Sequence, residues 1–216
     1  MSFQLTWIPD SPYSRLIKWS LLSLNIVHSD NIINWESLST DTEIVQLNPK
    51  RQVPYLTHQS RVICDSFIIL SQFLNLTSMM QGISGIWLRT ADADLDRVIF
   101  FLARAQAAKK KFSTDGEEMY SWLEKAARDA FITSLQALEK WFSDNQSPIT
   151  KVEIYEVAVL SMLLSIVSFS PDYLFFLNDF KFTNRLKEIE SDSQYREFIS
   201  QVNKFGVTDR LFLWHI

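Results

Sequence analysis

The chain is short of the residues that small all-β and disulfide-built proteins depend on, with four glycines and one cysteine in 216 residues. Few glycines and no series of evenly spaced alternating strands favour helix over a sandwich or barrel. The single thiol, Cys64, cannot close an intramolecular disulfide, which points to a reducing, cytoplasmic compartment. Clustered positive charge is missing as well. Lys and Arg number 21 against 25 Asp and Glu, for a net charge of −4, and the only basic run is Lys109-Lys110-Lys111. No nucleic-acid partner is expected, because phosphate binding rests on concentrated cations. The lysine run reads as a solvated helix C-terminus, where cations meet the negative end of the dipole. His28, His58 and His215 share no ligand spacing, so no metal is expected. No apolar run reaches the roughly 20 residues of a membrane span. The richest, Val157 to Phe169, is interrupted by serines and reads as a buried helix, and Met1 to Pro9 lacks the charged start and apolar core of a signal peptide.

What is present is core material. Hydrophobic residues make up 47% of the chain, with 16 Phe and 7 Trp, enough for one large domain or two small ones. Phe3, Leu5 and Trp7 alternate with polar residues as in a strand, and Pro9 to Pro12 ends it. Tyr13, Ile17, Leu21 and Leu24 then recur at helical spacing, while Arg15 and Lys18 fall off that stripe. Val27 to Ile33 reads as extended, and Thr40-Asp41-Thr42-Glu43 as a capping box opening a short helix that ends at Asn48-Pro49. Val53 to Thr57 and Arg61 to Cys64 form a strand pair, and Asp65-Ser66 starts a helix with Phe67, Leu70, Phe73 and Leu74 inward. Asn75 to Arg89, with Gly82 and Gly85, reads as a linker. Beyond it only helical periodicity appears, near Asp92 to Lys111, Glu117 to Phe142, Val152 to Phe169, Thr183 to Ile189 and Gln194 to Lys204. Thr150 and Glu153 occupy capping-box positions, with Ile149 and Ile154 as a staple, and the helix they open is apolar all round and should be central. Phe100, Phe101, Trp122, Trp141, Phe175 and Phe176 read as core.

Three corners carry chemistry or merely cap helices. Ser11-Pro12 is a favoured helix start, with a side-chain oxygen at the cap and proline at the first helical position. Pro54 inside Gln52-Val53-Pro54-Tyr55 suits a strand only if the strand begins there or the Val53-Pro54 bond is cis. Asp65-Ser66 after Val62-Ile63-Cys64 is a cap or an anion site.

In this order the corners resemble the landmarks of the cytosolic glutathione S-transferases, in a serine-type, bacterial-like form. Ser11-Pro12-Tyr13-Ser14-Arg15 resembles that family's active-site corner, and Asn48-Pro49-Lys50-Arg51-Gln52-Val53-Pro54-Tyr55-Leu56 its "NPxGKVPxL" segment. Asp65-Ser66 resembles its "ES" pair, and Thr150-Lys151-Val152-Glu153 its "[ST]xxD" cap. The resemblance covers essentially the whole chain. It implies an α/β thioredoxin-like glutathione-binding domain over residues 1–76 and an all-helical domain over 77–216 that contributes the electrophile pocket. It also implies a homodimer formed through the helices after Ser66 and Asp92. Glutathione would be co-substrate, bound by Gln52, Val53, Pro54, Asp65 and Ser66, with no metal. Ser11 would stabilise its thiolate for attack on a small electrophilic substrate, with Tyr13 and Ser14 as rival hydroxyls. The same resemblance admits a non-catalytic interaction protein, or a specialised glutathione-dependent isomerase, etherase or dehalogenase. The chain departs from the pattern at Arg51, where glycine is usual, at Gln52, where lysine is common, and at Asp65 and Glu153, where Glu and Asp are usual. Phe100, Arg104 and Trp214 are candidate pocket walls.

Overall fold

The computed structural model describes residues 3–59, 61–75, 82–111, 117–143, 151–205 and 213. A four-stranded sheet is built from β1 (Phe3–Trp7), β2 (His28–Ile32), β3 (Tyr55–His58) and β4 (Arg61–Cys64), in the order β2-β1-β3-β4. β1 runs parallel to β2, with Phe3 opposite His28, and antiparallel to β3, with Leu5 opposite Leu56. β3 and β4 form the expected hairpin. The parallel pair needs a crossover, which α1 (Pro12–Ser23) supplies. The result is a thioredoxin-like sheet unit followed by a helical remainder, and the expected fold class holds.

Helix α1 departs from the amphipathic reading. It lies between the sheet and the helical unit, so Arg15 and Lys18 are buried alongside Ile17 and Leu21, while Leu24, at its C-cap, is exposed. Lys18 is paired with a carboxylate, as buried charge requires, and Arg15 is tied to a backbone carbonyl. Arg15 Nε donates to the Pro9 carbonyl at 2.8 Å, and Lys18 Nζ lies 2.7 Å from Asp30 and 2.8 Å from His28 Nε2.

Two short helices follow β2. The sequence reading had one, α3 (Thr42–Leu47), but its cap is Asp41 rather than Thr40; α2 (Trp35–Thr40), capped by Asn34, was missed. After β4 comes α4 (Ser66–Ile68), continued by a π-helical turn over Ile69–Phe73.

The expected linker is corrected in its second half. Residues 76–81 lie outside the described ones, but α5 occupies Gly82–Arg89 and runs through a π-helical turn, Thr90–Leu95, into α6 (Asp96–Lys111). A glycine inside a helix costs about 1 kcal/mol against alanine. Burial of Trp87 and Leu88 against the core outweighs that, since one large buried side chain contributes roughly 1.5–3 kcal/mol.

Helices α7 (Glu117–Ser143), α8 (Ile154–Phe169), α9 (Tyr173–Leu177), α10 (Phe182–Ser191) and α11 (Ser193–Asn203) are the remaining elements among the described residues. Helix α8 is central as expected. Every residue from Val157 to Val167 is buried, and the helix packs on α1, α5 and α6. Its cap is Glu153 itself, with the Glu156 carboxylate accepting the Glu153 N–H at 2.9 Å. The Thr150 cap and Ile149 staple fall outside the described residues. Three expected core aromatics are instead exposed, namely Phe100, Trp122 and Phe175. The lysine run closes the last turn of α6, as read.

Candidate functional site

A cavity of about 660 Å³ opens where the sheet unit meets the helical unit. That volume suits a ligand of small-molecule size. Ser11, Gln52, Val53, Pro54, Asp65 and Ser66 all line it. Three loops at one end of the sheet converge to bring them together, although the first and last are 55 positions apart in sequence.

Ser11 is the N-cap of α1, with Pro12 behind it at the first helical position. Its Oγ accepts the Ser14 N–H at 3.3 Å, and its side chain is only 2% exposed. The Ser11 hydroxyl proton has no acceptor among the described residues, so a buried donor faces the cavity beside the positive end of a 12-residue helix. The rivals are placed differently. Ser14 is fully buried, its Oγ accepting the Ile8 N–H at 3.3 Å, and it does not line the cavity. The Tyr13 hydroxyl donates to Asp92 Oδ1 at 3.2 Å, across to the helical unit. Burial, with the charges of Asp96 and Asp92, pushes its ionisation far above the usual phenol range, the reverse of what a thiol-activating phenolate requires.

The 48–54 turn forms the next wall. Buried Asn48 ties it together, its side-chain amide donating to the Gln52 carbonyl and its own carbonyl accepting the Arg51 N–H. Arg51 has φ 52°, which explains why glycine is usual there: the turn requires a left-handed residue, at a cost of roughly 1–2 kcal/mol for a side chain. The Val53-Pro54 bond is cis, and β3 begins at Tyr55. Val53 N–H and C=O have no hydrogen-bond partner among the described residues, which leaves both available to an extended ligand.

Asp65 sits at φ 77°, and its Oδ1 accepts the N–H groups of Phe67 at 2.9 Å and Ile68 at 3.2 Å. The carboxylate is thus turned back over the helix start. Ser66 keeps its own N–H and hydroxyl without acceptors among the described residues, on the cavity wall.

The opposite wall was not found from sequence. Asp92, Asp96, Ile99, Ser165 and Phe169 line it; Phe100 and Arg104 do not, and Trp214 lies outside the described residues. The available signal was a pair of aspartates four apart at a helix start, which is as common on solvated faces. Asp92 lies within the π-helical turn and Asp96 directly after it, and such turns concentrate at functional sites. Burial holds both carboxyls above the usual range; the Tyr13 hydroxyl opposes this, and charge from Asp65 on Asp92, and from Asp92 on Asp96, adds to it.

A carboxyl with a raised folded pKa binds more protons folded than unfolded between its ordinary and raised values, so stability falls as pH rises through that window. Asp96→Asn should therefore melt above wild type at pH 7, with the gap closing as pH drops below about 4, the ordinary carboxylate value. Melting curves across that range check it, and a lower melting temperature for the variant at pH 7 would contradict it.

Comparisons with known proteins bear on the fold that carries this cavity. Residues 5–78 match the family model "Glutathione S-transferase, N-terminal domain". No curated protein matches the sequence. Among solved structures, the fold is shared with a glutathione transferase family member from Pseudomonas fluorescens with bound glutathione, at 18% identity and TM-score 0.68, covering 91% of this chain and 98% of that one. A glutathione S-transferase from Methylobacterium radiotolerans in complex with glutathione sulfonate gives 14% identity and TM-score 0.68, with 91% and 94% covered. FzlA from C. crescentus gives 18% and 0.67, with 93% and 92% covered. Residues 5–78 are thus matched to the N-terminal domain of the glutathione S-transferases, and over nine-tenths of its length the chain shares the fold of solved glutathione transferases.

Proposed function

We propose that the protein is a serine-type glutathione transferase that ionises the glutathione thiol at Ser11 for attack on a small electrophile. The observation that carries this is the buried Ser11 hydroxyl, without an acceptor, at the mouth of α1 and on the wall of the cavity. Glutathione lies in extended form along Val53, its cysteinyl backbone pairing with the Val53 N–H and C=O in the manner of an added strand. Its γ-glutamyl carboxylate meets Ser66, its α-amino group meets Asp65, Pro54 packs against it, and Gln52 reaches the glycyl end. The thiol then faces Ser11. A free thiol has a pKa of about 8.5, and a donated hydrogen bond together with the helix N-terminus lowers it. The thiolate forms the new carbon–sulfur bond while the electrophile's leaving group departs, or while an activated double bond takes up the electron pair.

The division falls near residue 76, the sheet unit binding glutathione and the helical unit receiving the electrophile. The setting is cytoplasmic and the role one of detoxification; among the described residues no helix is long and apolar enough to cross a membrane. Ile68 in α4 and Phe100 in α6 are exposed apolar residues on the helices after Ser66 and Asp92, which suits a homodimer paired there. Sedimentation should give the mass of two chains, and the mass of one would remove the dimer.

Retention on immobilised glutathione tests the reading. The protein should bind and elute with free glutathione, and Ser66→Ala should elute earlier. Flow-through of the wild type would instead leave a fold kept for protein interaction.

A further inference from the structure

We propose that the second substrate is an electrophile bearing a cationic nitrogen group on an apolar body, selected by Asp92 and Asp96. The inference rests on the transferase reading of the same cavity and names the substrate class that its helical wall takes.

The wall itself supplies the argument. Asp92 and Asp96 stand about one helical turn apart on the continuous 82–111 helical stretch, and both line the cavity. Neither has an ion-pair partner among the described residues. The Tyr13 hydroxyl satisfies one oxygen of Asp92, whereas two ionised carboxylates offer about eight acceptor sites between them. Asp10 and Asp65 line the same cavity, and Arg51 is the sole cation among its described lining residues. Ile99, one turn beyond Asp96, and Phe169 at the end of α8 provide apolar surface for the body of the ligand. The same cavity reaches Ser11, more than nine-tenths buried, whose hydroxyl proton has no acceptor among the described residues, so a ligand on the acidic wall would lie beside the thiol assigned to Ser11.

Two part-buried carboxylates side by side are unfavourable without a counter-charge, and a cationic ligand would relieve that repulsion on binding. An anionic electrophile would meet the same field with the opposite sign, so the wall discriminates by repulsion as well as attraction. The sulfur of bound glutathione, once ionised, adds a further negative charge on the side where the cation approaches.

The test uses the full chain and a matched pair of aryl chlorides, 4-chloro-3-nitrobenzyltrimethylammonium and 4-chloro-3-nitrobenzoate, at saturating glutathione. After correction for the uncatalysed rates, kcat/KM should favour the cation by about 10-fold or more at low salt. The preference should shrink with salt, and Asp96→Asn should lower the ratio several-fold. A ratio at or below one in the wild type overturns the proposal, as does a ratio that neither salt nor Asp96→Asn moves. If Asp96→Asn does not fold, the wild-type ratio and its salt dependence decide. Binding of the unreactive benzyltrimethylammonium and benzoate, followed through the fluorescence of Trp35 on the cavity wall, separates the two readings. Charge-selective binding without conjugation removes the transferase reading and, with it, the electrophile, leaving a cation-selective wall. Conjugation without charge selectivity does the reverse.

Discussion

Ser11→Ala is expected to lower the turnover of a generic aryl halide with glutathione by roughly 100-fold or more, the range for removing one preorganised donor to an anion. The hydroxyl is buried, anchored by the Ser14 N–H, and left with its proton unassigned, so it is already oriented when the sulfur arrives. Each unit by which the thiol pKa is lowered corresponds to about 1.4 kcal/mol of preference for the thiolate. Loss of the donor should therefore also raise the pH at which ultraviolet absorbance reports bound thiolate. That second readout matters because Ser11 is a helix cap, and alanine there costs about 1 kcal/mol of stability by itself. A purely structural role would lower the melting temperature and leave the thiolate titration in place. Equal turnover in wild type and variant would assign ionisation to backbone donors, because Tyr13 donates to Asp92 and Ser14 does not line the cavity.

Arg185→Met is expected to destabilise the fold by about 3–5 kcal/mol, the cost of leaving a buried charge without its partner. Glu156, on the first turn of α8, is 1% exposed and is met by a two-pronged guanidinium: Arg185 Nε to Oε1 at 2.7 Å and Nη2 to Oε2 at 3.0 Å. The same Nη2 donates to the Lys151 carbonyl at 2.9 Å, and Glu156 accepts the Glu153 N–H. One ion pair thus fixes the start of the central helix and ties α10 to it. Methionine fills the volume of the arginine stem but strands the carboxylate. Adding Glu156→Gln should recover most of the loss, since the amide oxygen still accepts at the cap without carrying charge. Denaturant titration of the two variants measures both effects, and a loss under about 1 kcal/mol for Arg185→Met would show that the pair contributes as little as an exposed one.

The legible parts of this protein were those set by neighbours in sequence. The 12 residues of α1 announced themselves through Ser11-Pro12 and a change of period from two to about 3.6, and α8 through an apolar run too short to span a membrane. Even the departure at Arg51 was visible, though only its φ of 52° says what the position requires. The misreadings share a cause. Arg15 and Lys18 fall off the apolar stripe of α1 and are buried all the same, because a single helix does not show that it is covered on both sides. Gly82 and Gly85 read as linker because propensity carries no information about Trp87 packing on a core formed much later in the chain. Phe100 and Trp122 read as core because aromatic content does not say which face of a helix is left open.

The sequence alone determined most of the helix and strand segments and the three corners with their order, because capping, turn chemistry and periodicity act over a few positions. Only the tertiary structure decided that these corners share one cavity, that Tyr13 is spent on Asp92, and that the far wall is acidic. Those facts depend on contacts between residues some 80 positions apart, and such contacts follow from how the units pack rather than from any local preference of the chain.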